Sequence, residues 1–238
     1  MSISIKFTLI GDGRQAEKHK QAIAAIGGEI NYIYDPIKYG DSNTRILDSI
    51  SNSDWVVISS PNYLHYTHIR MCLAQRADIP IIVEKPLRLP WEPHIDNDNI
   101  NVVLQLRYIE NLPKEASSVK VKMVRNKEYF KTWKGSERNT GGLFYHLYVH
   151  YMDLAIYLNA TFEGIIVKEG KQERRIDNFD LMNIDMGKLY ARMYDRIIYH
   201  NEGIKPKDIF YLNWIMNKYS ILSAIRPYNK RVKIEEWL

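Results

Sequence analysis

Ile3-Ser4-Ile5-Lys6-Phe7-Thr8-Leu9-Ile10-Gly11-Asp12-Gly13-Arg14-Gln15-Ala16 decides the reading of this chain. An apolar run of strand character enters a turn with the pattern Gly-x-Gly-x-x-Ala, and a helical pattern follows over residues 14–27. Gly11 permits the tight turn, Gly13 lets a phosphate approach the backbone, and Ala16 lets the helix pack closely on the strand. Arg14 and Gln15 occupy the two positions between Gly13 and Ala16, where backbone amides open the helix and favour an anion. The next strand, at 30–34, ends at Asp35, where a carboxylate accepts hydrogen bonds from ribose hydroxyls. The pattern therefore implies a dinucleotide, with Asp35 selecting NAD over NADP. Lys38 nearby keeps NADP as the lesser option.

The pattern continues outward from this turn. Trp55–Ser59, Ile79–Val83 and Asn101–Gln105 read as further strands, with a helix over 63–76. Continuous apolar strands separated by helices predict a parallel sheet covered on both faces. After Arg107 the texture changes. Val119-Lys120-Val121-Lys122-Met123 alternates with period two, and Gly141 to Asn159 reads as a helix. Residues 162–179 offer room for two short strands, and amphipathic helices follow at 186–200 and 207–224. The expected fold class is α/β: an N-terminal Rossmann dinucleotide-binding domain over residues 1–107 and a truncated α+β domain over 108–238.

Bulk properties narrow the partners. Among 238 residues, 33 are basic and 28 acidic, a net charge of +5 with no block of like charge. Such a balance suits anionic small molecules, and no nucleic-acid motif accompanies the 17 tyrosines. The lone cysteine, Cys72, fits a reducing compartment. No apolar run reaches the roughly 20 residues needed to span a bilayer, and the start lacks a signal-peptide pattern. A cytoplasmic protein without a membrane or nucleic-acid partner is expected.

Four further segments resemble one family: Ser59-Ser60-Pro61-Asn62-Tyr63-Leu64-His65-Tyr66, Glu84-Lys85-Pro86-Leu87, Leu104-Gln105-Leu106-Arg107, and Gly141-Gly142 followed by His150-Tyr151-Met152-Asp153-Leu154. Their order is similar to that of the glucose-fructose oxidoreductase / inositol dehydrogenase (Gfo/Idh/MocA) superfamily. Trp133-Lys134-Gly135-Ser136, Gln105-Leu106-Arg107 and the stretch from Lys188 to Ile204 look like the branch that oxidises carbon 3 of UDP-N-acetylglucosaminuronate during polysaccharide synthesis. The resemblance implies an NAD-dependent sugar or UDP-sugar dehydrogenase that forms homo-oligomers through its second domain.

It also implies roles for individual residues. Oxidising a hydroxyl requires a group within about 3 Å to take its proton. The resemblance marks His150 as that base and Lys85 as the donor that orients the hydroxyl, with His146 one helical turn from His150 on the same face. Ser60, Pro61, Asn62, His65, Glu84 and Lys85 join the cofactor set. Arg107, Trp133, Lys134, Tyr148 and Asp153 join the substrate set, Arg107 and Lys134 as partners of a pyrophosphate or uronate. Read singly, these residues are also consistent with a turn at Pro61-Asn62, a packing anchor at Trp133 and solvated charges at Arg107 and Lys134. His146 and His150 lack a third ligand at zinc spacing, so no metal is expected.

The chain departs from the family in four places. The stretch 159–186 is abbreviated, which removes sheet from the second domain, and the stretch 87–101 is abbreviated as well. His146 stands where the superfamily has an aspartate and the nearer branch an asparagine. Tyr148 replaces a glycine, and a ring there is expected to narrow the substrate's approach. These departures favour a second possibility, a degenerate NAD- or nucleotide-sugar-binding protein, and the reduction of another carbonyl stays open.

Overall fold

The computed structural model describes residues 4–40, 43–142, 144–167, 169–214 and 232–233. Ile3 of the first expected strand, Leu143 of the 141–159 helix, Lys168 of the 162–179 stretch and residues 215–224 of the last expected helix lie outside them.

The chain folds as two compact units. The first comprises Met1–Val103 and Asp185–Asp208, so the main division falls just before the expected boundary. Its sheet is built from β1 (Lys6–Ile10), β2 (Glu29–Tyr34), β3 (Trp55–Ile58), β4 (Ile81–Val83) and β5 (Ile100–Val102), in the order β2-β1-β3-β4-β5. Every pairing is parallel. Phe7, Leu9, Ile10, Val56, Val57, Ile58, Ile81, Ile82 and Val83 are all fully buried. That burial is why these strands read as unbroken apolar runs rather than alternating ones.

Helices α1 (Ala16–Ala25), α2 (Pro36–Tyr39), α3 (Asn43–Ser51) and α4 (His65–Gln75) connect the strands. The short α2 and the whole of α3 were not expected from periodicity. Asp35 caps α2 through Lys38 N, with Pro36 at the first turn, where a missing N–H costs nothing. Pro80 precedes β4, as its lack of a donor requires.

The second unit holds Leu104–Ile184 and resumes at Ile209. Its elements are β6 (Ser118–Val124), the single turns α5 (Lys127–Phe130) and α6 (Glu137–Thr140), α7 (Val149–Tyr157), β7 (Thr161–Val167), β8 (Glu173–Ile176) and β9 (Phe179–Asp180). A further strand, Val232–Lys233, pairs antiparallel with β7 and closes a five-stranded mixed sheet in which β6 is central. The residues between α7 and Met186 thus supply three strands, not two, and the sheet is fuller than the sequence suggested. On β6, Val119, Val121 and Met123 are buried while Lys120 is exposed, the alternation expected of a sheet covered on one side. The expected helix from Gly141 is regular only from Val149; Phe144–Tyr148 forms a wider π turn.

The sequence placed residues 186–200 in the second domain. They form α8 (Met186–His200), which belongs to the first unit and packs on α1. Asp185 caps it by accepting from Gly187 N and Lys188 N, and Leu189, Tyr190, Met193, Tyr194 and Ile197 form its buried stripe. The helix expected at 207–224 begins as a 3₁₀ turn, Pro206–Ile209, and residues 210–214 are helical.

Candidate functional site

The first turn is built as its glycines require. Gly11 has φ +92°, and a Cβ there would lie 2.6 Å from Ser60 N, so β1 and the segment after β3 touch backbone to backbone. Ser59 Oγ donates to Gly11 O at 2.8 Å and strengthens that contact. Gly13 is exposed, and a Cβ there would meet nothing within 4 Å. The open space at Gly13, the adjacent exposed Arg14 and the start of α1 make a cradle at the carboxyl end of a parallel sheet, the place where such sheets bind ligands.

Asp35 faces this turn. Its Oδ2 accepts from Asp12 N at 3.0 Å and its Oδ1 from Lys38 N at 3.1 Å. Asp12 itself was not singled out by the sequence, yet its carboxylate is buried and engaged by Lys20 Nζ at 2.5 Å, by Lys38 Nζ and by Tyr39 Oη. Burial opposes its ionisation, but these donors outweigh burial and hold the carboxyl well below the usual range. Lys38, read as a partner for an NADP phosphate, is thereby committed to Asp12.

Behind the turn lies a buried polar network. Glu84 Oε1 accepts from Gln15 Nε2 at 2.8 Å and from Tyr190 Oη at 2.8 Å, and lies 3.0 Å from His19 Nε2. His19 Nδ1 is 2.7 Å from Tyr194 Oη, and its ring meets Tyr190 edge-on at 5.3 Å. Gln15 also reaches Tyr190 Oη. Glu84 and Gln15, expected to touch the cofactor, therefore join α1, β4 and α8 from within. Nothing in the local sequence signals this, because three of the five members lie far along the chain from the first turn.

The segments after β3 and β4 are tied together by His65, which is fully buried. Its Nδ1 lies 2.7 Å from Pro86 O and its Nε2 2.8 Å from Ser60 O. Burial lowers its pKa, against the pull of the two carbonyls. Ser60 Oγ is 2.9 Å from His68 Nδ1. Burial, with a smaller push from His65, brings the pKa of His68 down to about 4, so it is neutral near pH 7. Asn62 is buried at the start of the 3₁₀ turn Asn62–Leu64, with Pro61 capping it. Lys85 lies two residues beyond β4 and is half-buried, between the buried Glu84 and Pro86.

In the second unit, His146 lies in the π turn and His150 in the first turn of α7. His146 is flanked by aromatic rings, with Trp133 at 5.4 Å and Tyr129 at 6.1 Å. Trp133 and Lys134 begin the 3₁₀ turn Trp133–Gly135, and Lys134 Nζ stands over the Tyr129 ring. Trp133, His146 and Lys134 are thus brought into one cluster.

Three other expectations are corrected. Arg107 does not reach for a free anion: its Nε and Nη2 grip both oxygens of Asp153, at 2.9 and 2.5 Å. Asp153 is buried; burial raises its pKa and Arg107 opposes that rise. The pair ties α7 to the 3₁₀ turn Gln105–Tyr108 and engages both oxygens of Asp153. Tyr148 does not narrow an approach either. It is buried, meets Phe162 edge-on at 5.5 Å, and a Cβ on Gly164 would come within 3.0 Å of its ring. The ring that replaces a glycine is accommodated by a glycine on β7. Among the described residues, no three His, Cys, Asp or Glu side chains cluster as a metal site requires.

Taken together, the parallel sheet with its Gly-x-Gly turn and facing aspartate, and the separate mixed sheet with one covering helix, define a two-unit α/β architecture. Residues 113–163 match the family model described as "Oxidoreductase family, C-terminal alpha/beta domain" of Gfo/Idh/MocA proteins, and the fold is the one those dehydrogenases share. The chain is similar to the WlbA (WbpB) dehydrogenase from Thermus thermophilus, solved with NAD and UDP-GlcNAcA: 21% identity, 91% of this chain and 94% of that one, TM-score 0.69. It is also similar to the WlbA dehydrogenase from Bordetella pertussis, solved with NADH and UDP-GlcNAcA, at 17% identity, 95% and 98% coverage and TM-score 0.63. A myo-inositol dehydrogenase from Corynebacterium glutamicum matches at 13% identity, 98% and 99% coverage and TM-score 0.65. At these identities the likeness is one of fold.

Proposed function

We propose that this chain is an NAD-dependent dehydrogenase that oxidises a sugar hydroxyl, the one at carbon 3 of a UDP-linked uronate such as UDP-N-acetylglucosaminuronate. The observation that carries the reading is the turn at Gly11 and Gly13 with Asp35 facing it. The cradle at Gly13 fits a pyrophosphate, and Asp35 fits ribose hydroxyls. NAD, when bound, would supply the acceptor for hydride. The similar fold of dehydrogenases crystallised with NAD or NADH supports the same choice.

The chain's own residues then handle the proton. His150 takes it from the hydroxyl as hydride departs, an imidazole nitrogen being able to accept a proton as a general base. Lys85 supplies a positive charge able to orient a hydroxyl and lower its pKa. His146, held by Trp133 and Tyr129, stands one turn from His150 and is the alternative base. Lys85 belongs to the first unit and His150 to the second, and each role is assigned separately. Ser59, Ser60 and His65 hold the backbone segments that precede and follow the cofactor's place. We further propose that the protein works in the cell interior and as a homo-oligomer joined through its second unit.

His146, standing where the superfamily has an aspartate and the nearer branch an asparagine, favours a second reading, a protein that binds NAD or a nucleotide sugar without turnover. Calorimetric titration tests the first step that both readings share. NADH is expected to bind at least tenfold more tightly than NADPH, because Asp35 repels a 2′-phosphate and Lys38 is held by Asp12. Equal affinity, or tighter NADPH, would contradict the assignment of Asp35.

A further inference from the structure

Asp12 stands between the two glycines of the first turn, and its carboxylate is wholly buried. A charge placed there needs partners. They come from two helices: Lys20 of α1 pairs with Oδ1 at 2.5 Å, while Lys38 Nζ and Tyr39 Oη of α2 both meet Oδ2. The backbone joins in, because Asp12 N donates to Asp35 Oδ2 at 3.0 Å. Asp12 therefore touches both the carboxylate assigned to the ribose and the lysine beside it.

Lys38 is well placed to reverse the choice of dinucleotide, since a cation near the end of β2 is what a 2′-phosphate requires. Its amide donates to Asp35 Oδ1 at 3.1 Å, and Asp35 caps the turn of helix that carries it. The side chain is half-exposed, and its flexible four-carbon stem would let the ammonium reach a phosphate held beside Asp35. The fold directs it elsewhere. Nζ turns to Asp12 and lies 5.1 Å from the centre of the Tyr39 ring. Its bonds to Asp12 first, and then to Tyr39, raise the Lys38 pKa, so the ammonium stays charged and engaged.

Lys20 cannot do this work alone, because it is shared with Glu17 at 2.9 Å. Within this group two lysines face two acids, and neither lysine has charge to spare. Removing the Asp12 charge would release a half-exposed ammonium three residues from Asp35.

We propose that Asp12 is a specificity-determining residue for the dinucleotide: by engaging the Lys38 ammonium it withholds that cation from a 2′-phosphate, which then meets the carboxylate of Asp35. The proposal rests on the reading of Gly13 and Asp35 as the dinucleotide's place. It differs from a purely structural role, in which Asp12 only shapes the turn and affects both dinucleotides alike.

The test is calorimetric titration of the whole chain with NADH and with NADPH at one ionic strength, since such pairs are screened by salt. Asp12→Asn keeps the shape of the side chain and removes its charge. It is expected to shift the affinity ratio towards NADPH by about tenfold, the worth of one charge-assisted hydrogen bond. Adding Lys38→Met to Asp12→Asn should return the ratio to that of the parent, because the gain runs through Lys38. Lys38→Met alone should leave the parental ratio, that ammonium being engaged already.

A folded Asp12→Asn protein with the parental ratio would overturn the proposal, and so would a gain that persists in the double variant, which would be relief of repulsion and nothing more. Should Asp12→Asn fail to fold, Lys38→Met decides, since it retains Asp12 and alters a half-exposed side chain. A parental ratio upholds the proposal there, and a ratio moved further towards NADH shows that Lys38 already meets the phosphate and overturns it. A parent that binds neither dinucleotide sinks the cofactor reading and the proposal with it, whereas a parent that binds NADH with one ratio across all variants sinks the proposal alone.

Discussion

Two glycines of one turn are under different constraints, and substitution separates them. Gly11 is fixed by a positive φ and by the Ser60 backbone at 2.6 Å, so Gly11→Ala must both strain the chain and push β1 from the segment after β3. Its cost is expected to be about 1–3 kcal/mol in a denaturant melt. A Cβ on Gly13 would meet no atom of the described residues within 4 Å. Gly13→Val is therefore expected to leave the melt unchanged and to weaken NADH by at least 100-fold in calorimetry. A folded Gly13→Val with parental NADH affinity would remove the turn from the account. The sequence makes Gly11, Gly13 and Asp35 legible because their spacing and order carry the meaning. It hides Asp12, whose burial depends on Lys20, Lys38 and Tyr39 meeting around it, and it misreads Tyr148, whose place depends on Gly164 across the sheet.

Among the elements, α8 shows most clearly how a helix can be read correctly and assigned to the wrong place. The stripe Leu189, Tyr190, Met193, Tyr194 and Ile197 specifies a helix with one buried face, but an apolar stripe does not name its partner. The partner is α1, and the specificity comes from the polar atoms in the interface: Tyr190 Oη on Glu84, Tyr194 Oη on His19. Tyr190→Phe removes a donor from the buried Glu84 and is expected to cost about 1–3 kcal/mol of stability in urea unfolding, the usual penalty for an under-satisfied buried acceptor. A Tyr190→Phe protein as stable as the parent would mean that apolar contact alone holds α8. The second-unit strands follow the same logic. β6 is legible from its own alternation, whereas β8 and β9 are short, polar and partly exposed, and their places follow from pairing, β8 with β6 and β9 with β8.

At the level of the whole chain, the fold class was readable because strand–helix alternation and period-two alternation are local patterns, each belonging to one unit. The path between units was not, because the return of Asp185–Asp208 to the first unit depends on long-range packing. The segments quoted from the sequence were locatable despite this limit, since most lie at the end of one strand or the start of one helix. The proposal that joins all of it is chemical: NAD would be reduced at the expense of a UDP-sugar hydroxyl, with Lys85 and His150 each proposed to act on its proton. The most direct measurement mixes the chain with NAD and UDP-N-acetylglucosaminuronate and follows absorbance at the NADH band. The account predicts a rise whose rate falls by about 10²–10⁴-fold in His150→Asn and in Lys85→Met, with NADH affinity kept in both. A flat trace from a protein that binds NAD, or a rise at the same rate in both variants, would contradict it.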